Sequence, residues 1–135
     1  MAKNLNLQIV TPEGIAYSDN VEMVGLRSVE GQIGILPNHI RLMTQMMPGE
    51  MTLRKDGQVK FLAVGQGLVE VTRDRVAILT DMAVAAETID EAKAEEAWRR
   101  AEARLQEKIS AEELASVNAS LARSLAQLHV KRRHR

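Results

Sequence analysis

Apolar residues along this chain follow two different periods, one before about residue 88 and one after it. In the first part they alternate with polar residues, as in Leu5–Thr11, which is typical of a strand with one buried face. Over residues 88–128 they recur every three or four positions, which predicts helices. The pattern therefore predicts an all-β domain over residues 1–87 and a helical domain over residues 88–135.

The first domain is predicted to contain many short strands at close, even spacing, which favours a sandwich or a barrel. Its clearest turn is Asp56-Gly57, because a type I′ hairpin turn needs positive φ at both central residues. Asp19-Asn20 is expected to separate two further strands. The short apolar runs that we expect to form strands span residues 5–11, 15–18, 21–27, 33–36, 42–47, 51–54, 59–62, 68–72 and 76–80.

Two capping boxes predict the starts of two helices. Thr88 is followed three positions on by Glu91, and Ser110 by Glu113, so that each hydroxyl and carboxylate satisfies free backbone N–H groups. We expect helices over residues 89–108 and 111–130, antiparallel because the joint is short. The apolar stripes predicted to pack together are Ile89, Ala92, Trp98, Ala101, Leu105 and Ile109 on the first helix, and Leu114, Val117, Leu121, Leu125 and Leu128 on the second.

Alanine fills much of the remaining surface of both helices. Alanine favours helix but buries little area, so the hairpin is expected to dock on another surface only weakly. A two-helix hairpin is marginal by itself in water and needs such a dock. The sequence therefore predicts a docked hairpin whose partner is exchangeable.

Composition excludes several classes of function. Aromatic residues are limited to Tyr17, Phe61 and Trp98, which argues against base-stacking platforms for single-stranded nucleic acid. The chain has no cysteine, hence no disulfide framework and no thiolate metal site. No apolar run approaches membrane-spanning length. We expect a protein that faces the cytosol.

Charge is balanced over the whole chain but not along it. Formal net charge is zero, yet no Asp or Glu follows Leu114. These cations suit the end of a helix, whose dipole is negative there. They also suit an acidic partner, either nucleic acid or protein. The basic residues of this segment are Arg123, Lys131, Arg132, Arg133 and Arg135.

The sequence contains no catalytic constellation and no metal-site spacing. His39, His129 and His134 have no ligand partner at such spacing. The adjacent pair Glu95-Glu96 lies four residues before Arg99-Arg100, which favours surface ion pairs over acid–base chemistry. We therefore expect a non-catalytic chain that binds or assembles.

Five segments together resemble the epsilon subunit of bacterial F-type ATP synthases. They are residues 31–39 (GQIGILPNH), 48–49 (PG) and 65–71 (GQGLVEV), and the helical residues 89–92 (IDEA) and 121–128 (LARSLAQL). The similarity extends over essentially the whole chain, in order. It implies an α+β fold, with an N-terminal ten-stranded β-sandwich of two five-stranded sheets followed by a C-terminal antiparallel two-helix hairpin.

The resemblance also implies a function. Such a subunit has no active site and belongs to the rotating central stalk of the proton-translocating complex. It links the gamma subunit to the membrane ring of c subunits on the cytoplasmic side of the bacterial plasma membrane. Its hairpin either folds down on the sandwich or extends into the alpha/beta catalytic head and inhibits ATP hydrolysis. Contact with the membrane is expected only through the complex.

Site residues follow from the resemblance by position. Glu30, Gly31, Gln32 and His39 are expected to face the c ring, although Gln32 replaces a carboxylate that is common there. In the extended state, the cations expected to contact the catalytic head are Arg123, Lys131, Arg132 and Arg133.

Some relatives bind ATP on the folded hairpin without hydrolysing it, and this chain carries a degenerate form of their motif. Ile89 and Asp90 match, but Lys93 replaces an arginine, and lysine offers a point charge in place of a planar fork of donors. Arg123 is kept, whereas Gln127 replaces another arginine. We therefore expect no bound cofactor and only poor ATP binding.

A second hypothesis comes from the basic tail, residues 131–135. The chain could be a nucleic-acid-binding adaptor, with a steep dependence of binding on salt. Neutral overall charge and scarce aromatic residues count against it. The leading hypothesis includes no nucleic acid partner.

Overall fold

The computed structural model describes residues 4–135, which form ten strands followed by two helices. A 3₁₀ turn over Ala86–Thr88 separates the last strand from the first helix. The elements are β1 (Leu5–Thr11), β2 (Gly14–Val21), β3 (Met23–Ser28), β4 (Gly31–Ile35), β5 (Leu42–Met46), β6 (Gly49–Lys55), β7 (Gln58–Val64), β8 (Gly67–Val71), β9 (Arg75–Thr80), β10 (Ala83–Ala85), α1 (Glu91–Leu105) and α2 (Ala111–His134).

The strands form one hydrogen-bonded path that folds into two five-stranded half-sheets. The first contains β4, β3, β6, β7 and β10, and the second contains β5, β8, β9, β1 and β2. They meet where Ser28 of β3 pairs with Met46 of β5. Within residues 4–135 only β1 and β9 pair in parallel. The ten-stranded sandwich with a helical hairpin is confirmed.

Apolar side chains on one face of each strand fill the space between the half-sheets. In β1, Leu5, Leu7 and Ile9 are fully buried, while Asn6 between them is exposed, as alternation predicts. Every member of this core comes from a strand: Leu5, Leu7, Ile9, Val21, Val24, Leu26, Ile35, Met46, Met51, Leu53, Leu62, Val64, Val69, Val71, Val76 and Ile78.

The turn chemistry was predicted correctly at one site and wrongly at another. Asp56 and Gly57 both have positive φ, 53° and 74°, and connect β6 to β7 as expected. The predicted turn at Asp19-Asn20 is wrong, because β2 continues through it and Asn20 pairs with Asn6 of β1. Asn6 Nδ2 donates to Asn20 Oδ1 at 3.3 Å, which satisfies in the strand a residue type that usually favours turns.

The first helix begins two residues later than the Thr88 capping box predicts. Thr88 Oγ1 donates to Ala85 O at 2.9 Å and so completes the 3₁₀ turn. Ile89 has extended backbone and is buried, and Asp90 is the N-cap, accepting from Lys93 N at 3.1 Å. The Thr88 hydroxyl is thus occupied by its hydrogen bond to Ala85 O, and the Asp90 carboxylate caps the helix instead.

The second helix begins as predicted, and the joint is longer than predicted. Ser110 Oγ accepts from Glu113 N at 3.2 Å, which confirms Ser110 as N-cap. The first helix ends at Leu105, so that residues 106–110 form the joint. At its two sides Arg104 pairs with Glu107 and Glu113, and these hydrogen bonds raise the pKa of Arg104.

The predicted single stripe on α2 is wrong in part, since the helix packs on two partners at once. Leu114 and Leu125 are 43% and 45% exposed, whereas Leu128 is buried. The most buried residues near the end of α2 include Ser124, Ala126 and Val130, which the heptad spacing did not select. The helix contacts α1 as well as β6 and β7, so its buried surface is wider than a hairpin seam.

Candidate functional site

An apolar cluster joins α2 to the outer face of the first half-sheet. Ala126 and Val130 of α2 pack with buried residues that lie on and after the strands, and Val130 is fully buried. Phe61 of β7 and Val84 of β10 flank this contact. The remaining members are Ala63, Met82, Ala86 and Ile89. The hairpin is therefore folded down on the sandwich.

Two carboxylates of the sandwich fasten the same helix. Arg123 Nη1 donates to Asp81 Oδ2 at 3.0 Å. Glu50 Oε2 of β6 lies 3.4 Å from Arg133 Nη1, and Glu50 Oε1 contacts His134 Nε2. The ring of His134 also stacks on Phe61, with centroids 3.6 Å apart and planes at 9°. Both ends of the docked part of α2 are thus held by side chains of the sandwich.

A third carboxylate, Glu91, holds the tail of α2 against α1. Arg132 Nε donates to Glu91 Oε2 at 2.9 Å, and Arg135 Nη1 donates to Glu91 Oε1 at 2.8 Å. The Arg132 hydrogen bond, together with the charge of Arg135, keeps the pKa of Glu91 below its usual value, although burial acts in the opposite direction. Lys131 Nζ donates to Ala86 O at 3.3 Å. The four cations expected to contact a catalytic head therefore all bind groups of their own chain here.

The interface beneath α2 is incompletely filled. A cavity of about 280 Å³ separates the middle of the helix from the sandwich. Its floor includes Pro48 and Gln66, and its roof is largely alanine: Ala115, Ala119 and Ala122. Small side chains leave this space because they cannot reach the strands, so the contact supplies less apolar burial than a packed core. This geometry agrees with the weak docking expected from sequence.

The glycines of the 65–67 motif are required by close approaches. A Cβ at Gly65 would overlap Asp81 Oδ1, and a Cβ at Gly67 would overlap Leu79 O of β9. Gly67 therefore lets β8 and β9 pair, whereas Gly65 gives the Asp81 carboxylate its position beside α2. The other carboxylate oxygen, Asp81 Oδ1, is buried and has no hydrogen-bond partner among residues 4–135.

The degenerate nucleotide motif is only partly brought together. Lys93, Arg123 and Gln127 line a cavity of about 550 Å³ between both helices and the sandwich. Ile89 is instead part of the apolar cluster, and Asp90 caps α1. Arg123 is turned toward Asp81, and Gln127 Nε2 lies 3.1 Å from Met82 Sδ. Lys93 and Arg123 thus share a cavity, while the two motif residues that match best have structural roles.

Two family domains cover almost the whole chain. Residues 4–86 match "ATP synthase, Delta/Epsilon chain, beta-sandwich domain", and residues 87–132 match "ATP synthase, Delta/Epsilon chain, long alpha-helix domain". The chain belongs to the ATP synthase delta/epsilon family. Epsilon chains of this family are non-catalytic subunits of ATP synthase, which agrees with the expectation of a chain without an active site.

Curated relatives are similar over nearly their full length. The chain is 40% identical over 130 residues to the ATP synthase epsilon chain of Bacillus licheniformis, covering 96% of this chain and 99% of the relative. It is also 40% identical over 131 residues to the ATP synthase epsilon chain of Herpetosiphon aurantiacus, covering 97% and 96% respectively. These values confirm the resemblance to bacterial epsilon subunits.

Solved structures share the fold at lower sequence identity. A chain of the Euglena gracilis mitochondrial ATP synthase superposes with a TM-score of 0.72 at 23% identity, covering 90% of this chain and 78% of that one. A chain of the Tetrahymena thermophila mitochondrial enzyme, from its central stalk and c ring, superposes with a TM-score of 0.65 at 13% identity, covering 99% and 98%.

Neither helix of residues 4–135 in this epsilon-family chain is long and apolar enough to cross a bilayer.

The residues that the family resemblance assigns to the c ring lie before, within and after β4. Glu30 is in the turn before β4 and Gly31 is its first residue; Ser28 Oγ accepts from Glu30 N at 3.2 Å and donates to Gly31 O at 2.8 Å. Gln32 follows in β4 and lines a cavity with His129 and Arg133 of α2. His39 lies beyond the other end of β4. Glu30, Gly31 and Gln32 thus lie at the start of β4, and His39 follows its end by four residues.

The second half-sheet carries an exposed apolar row that sequence reasoning missed. Ile15, Val10, Leu79 and Leu68 are successive cross-strand neighbours on β2, β1, β9 and β8. Ile15, Leu79 and Leu68 are between 50% and 63% exposed. We call these four residues the apolar row. Alternation within each strand was the available signal, because a strand buried on only one face should not carry leucine on the other.

Asp81, Glu50 and Phe61 were also missed as functional residues. Each stands alone in a strand or turn, with no neighbour in sequence that marks it. Their role depends on α2, which approaches from about 40 to 80 positions away in the chain. No sequence pattern of short range carries that information.

Proposed function

We propose that the chain is the central-stalk epsilon subunit of a bacterial F-type ATP synthase, linking gamma to the c ring and regulating ATP hydrolysis through its hairpin. Family membership supports the assignment to the complex. The observation that carries the regulatory part is the interface under α2. It combines ion pairs and an unfilled cavity, so that the helix can exchange one partner for another.

The apolar row supports a contact with gamma. Contiguous exposed apolar residues on a sheet face mark protein interaction sites, and the hairpin covers the opposite half-sheet. We assign this row to gamma. Glu30 in the turn before β4, Gly31 and Gln32 at the start of β4, and His39 after it are assigned to the c ring. Through the ring the subunit is held on the cytoplasmic side of the membrane.

The gamma contact is tested by co-elution of the full chain with purified gamma subunit. Leu68→Ser and Leu79→Ser remove exposed apolar area without touching the core, so we expect affinity to fall by about tenfold or more. Val59→Ser is the matched control, because Val59 is 44% exposed on the other half-sheet. Equal losses for all three variants, or none, would remove the row from the interface.

In the extended state, the cations of α2 would meet acidic surface on the alpha/beta head and inhibit hydrolysis. The test is steady-state ATP hydrolysis by complexes reconstituted with the full chain or with a chain that ends at Glu87. Hydrolysis should rise in the truncated form, and it should rise also when Arg123, Lys131, Arg132 and Arg133 are neutralised. Unchanged hydrolysis after truncation would exclude an inhibitory hairpin in this protein.

Two further assignments complete the proposal. We place the domain boundary after Glu87, with residues 1–87 and 88–135 as separate units, because no helical residue contributes to the core of the sandwich.

ATP is expected to bind poorly at the cavity of Lys93 and Arg123, since Arg123 already pairs with Asp81. The pairing of Arg132, Arg133 and Arg135 with Glu50 and Glu91 counts against the nucleic-acid-binding alternative.

A further inference from the structure

Four arginines and His134 near the end of the chain divide into two groups according to the carboxylates that they contact. Arg123, Arg133 and His134 bind Asp81 and Glu50, which belong to the sandwich. Arg132 and Arg135 bind Glu91, which is the first residue of α1. The first group ties the hairpin to the sandwich, whereas the second ties the two helices to each other.

This division separates two movements. A hairpin that leaves the sandwich as a unit must break the contacts of Asp81 and Glu50 but keeps those of Glu91. A hairpin that straightens must break the contacts of Glu91 as well, together with the Arg104–Glu113 pair near the joint. Straightening therefore breaks the ion pairs of Glu91 and the Arg104–Glu113 pair, which release alone leaves intact.

Burial of the two sandwich carboxylates lowers the net stabilisation that their ion pairs give to the docked helix. The side chains of Glu50 and Asp81 are only 15% and 26% exposed under the docked helix. Asp81 Oδ1 is buried without a partner among residues 4–135, and this desolvation cost offsets part of the gain from the Arg123 pair. Gly65 leaves room for Asp81 in this position because it has no side chain. The pairing therefore orients α2 with a small net gain in stability.

We propose that Asp81 and Glu50 form a releasable clamp that competes with an acidic protein surface for the same cations of α2, and that Glu91 separately controls opening of the hairpin. This proposal rests on the proposed function only for the identity of the competitor. Arg123 and Arg133 cannot bind the clamp and an external carboxylate at once. The clamp therefore sets the fraction of chains whose hairpin is free to act elsewhere.

The clamp is tested on the full chain alone, without the rest of the complex. Spin labels on cysteines at Gln58 and Leu125, both exposed, report the distance between β7 and α2. The parent has no cysteine, so labelling is specific. Asp81→Asn and Glu50→Gln keep the shape of each side chain and remove its charge. Each should raise the ratio of released to docked chains by about tenfold.

Two matched variants separate the clamp from general charge effects. Glu102→Gln removes an exposed carboxylate of α1 for which no ion pair is seen, and should leave the distance distribution unchanged. Glu91→Gln should also leave the sandwich–α2 distance unchanged, while a second label pair on α1 and α2 reports helix separation. In a double-mutant cycle, Asp81→Asn should have little further effect once Arg123→Gln is present.

The outcomes also separate this inference from the proposed function. Unchanged distances in both Asp81→Asn and Glu50→Gln would overturn the clamp, even if truncation still raised hydrolysis. Release by both variants with no change in the hydrolysis of the reconstituted complex would uphold the clamp and remove the inhibitory role. Release by Glu91→Gln to the same extent would overturn the separation of the two movements.

Discussion

Phe61 and His134 stack face to face, 73 positions apart in the chain, with ring centroids 3.6 Å apart. Phe61 is one of only three aromatic residues, and its ring lies on the outer face of β7, where α2 ends. His134 reaches Glu50 with Nε2 from the same position. The His134 ring thus fixes the end of α2 in two ways, by stacking on Phe61 and by its contact with Glu50.

Removing the stack should loosen the end of α2 and leave the sandwich intact. Aromatic contacts of this kind contribute about 0.5–1.5 kcal/mol, so Phe61→Ala should raise hydrogen exchange in the last turns of α2 by about fivefold. His134→Ala should have a similar effect. His129→Ala is the control, because His129 is exposed on the same helix. Faster exchange throughout β7 and β6 would show instead that Phe61 supports the sandwich itself.

A fragment that ends at Glu87 should fold cooperatively. All members of the sandwich core lie in strands, so removal of the hairpin takes none of them away. The far-ultraviolet spectrum should show β structure without helix, and thermal unfolding should give a single transition. A fragment without a cooperative transition would make the hairpin a structural part of the first domain.

Nucleotide affinity should increase when the two missing arginines are restored. Lys93 and Gln127 line the cavity that also contains Arg123, so Lys93→Arg with Gln127→Arg would add planar donors facing the same space. Calorimetry should show no saturation for the parent at millimolar ATP and measurable binding for the double variant. Gln106→Arg, beyond the end of α1, controls for the added charge. Tight binding by the parent would contradict the prediction.

The contribution of Glu91 to hairpin stability should vanish in acid. Because its pKa is lowered from the ordinary value of 4.5 when Arg132 and Arg135 are bound, the stabilisation is complete above that pH and is lost as the pH falls through the lowered value. We expect Glu91→Gln to lower the thermal stability of the helices at pH 7, and we expect its difference from the parent to shrink as the pH falls below 4.5. A difference that persists unchanged at pH 3 would assign the effect to packing. Glu102→Gln serves again as the control.

Local patterns predicted those parts of the fold whose cause is local. Asp56-Gly57 and Ser110 act through φ angles and hydrogen bonds within three residues, so the sequence contains the whole reason for them. The N-cap prediction at Thr88 was wrong because its hydroxyl donates to Ala85 O, one turn upstream. The turn prediction at Asn20 was wrong because Asn6 of β1 is its cross-strand partner, and no local rule anticipates that pairing.

Tertiary contacts decided the site, and sequence periodicity resolved only part of it. The apolar stripe of α2 was predicted for one partner, but the helix lies between α1 and the sandwich, which leaves Leu114 and Leu125 exposed and buries Ala126. The basic segment was predicted to suit either the end of a helix or an acidic partner, and it forms the end of α2. That its carboxylate partners are Glu50, Asp81 and Glu91 of the same chain follows only from the fold.

The junction between the half-sheets has a mechanical consequence. The backbone hydrogen bonds that cross it cluster around Ser28 and Met46, where Val29 N donates to Gln45 O and Met47 N donates to Arg27 O. At the opposite side, an ion pair between Lys55 and Asp19 spans β6 and β2. A torque applied to the outer face of one half-sheet therefore reaches the other through interdigitated core side chains and through the short chain connections between the half-sheets, such as Glu22 between β2 and β3. A packed apolar layer resists compression more strongly than it resists shear. The sandwich should therefore transmit rotation stiffly, with a small elastic shear between the two half-sheets.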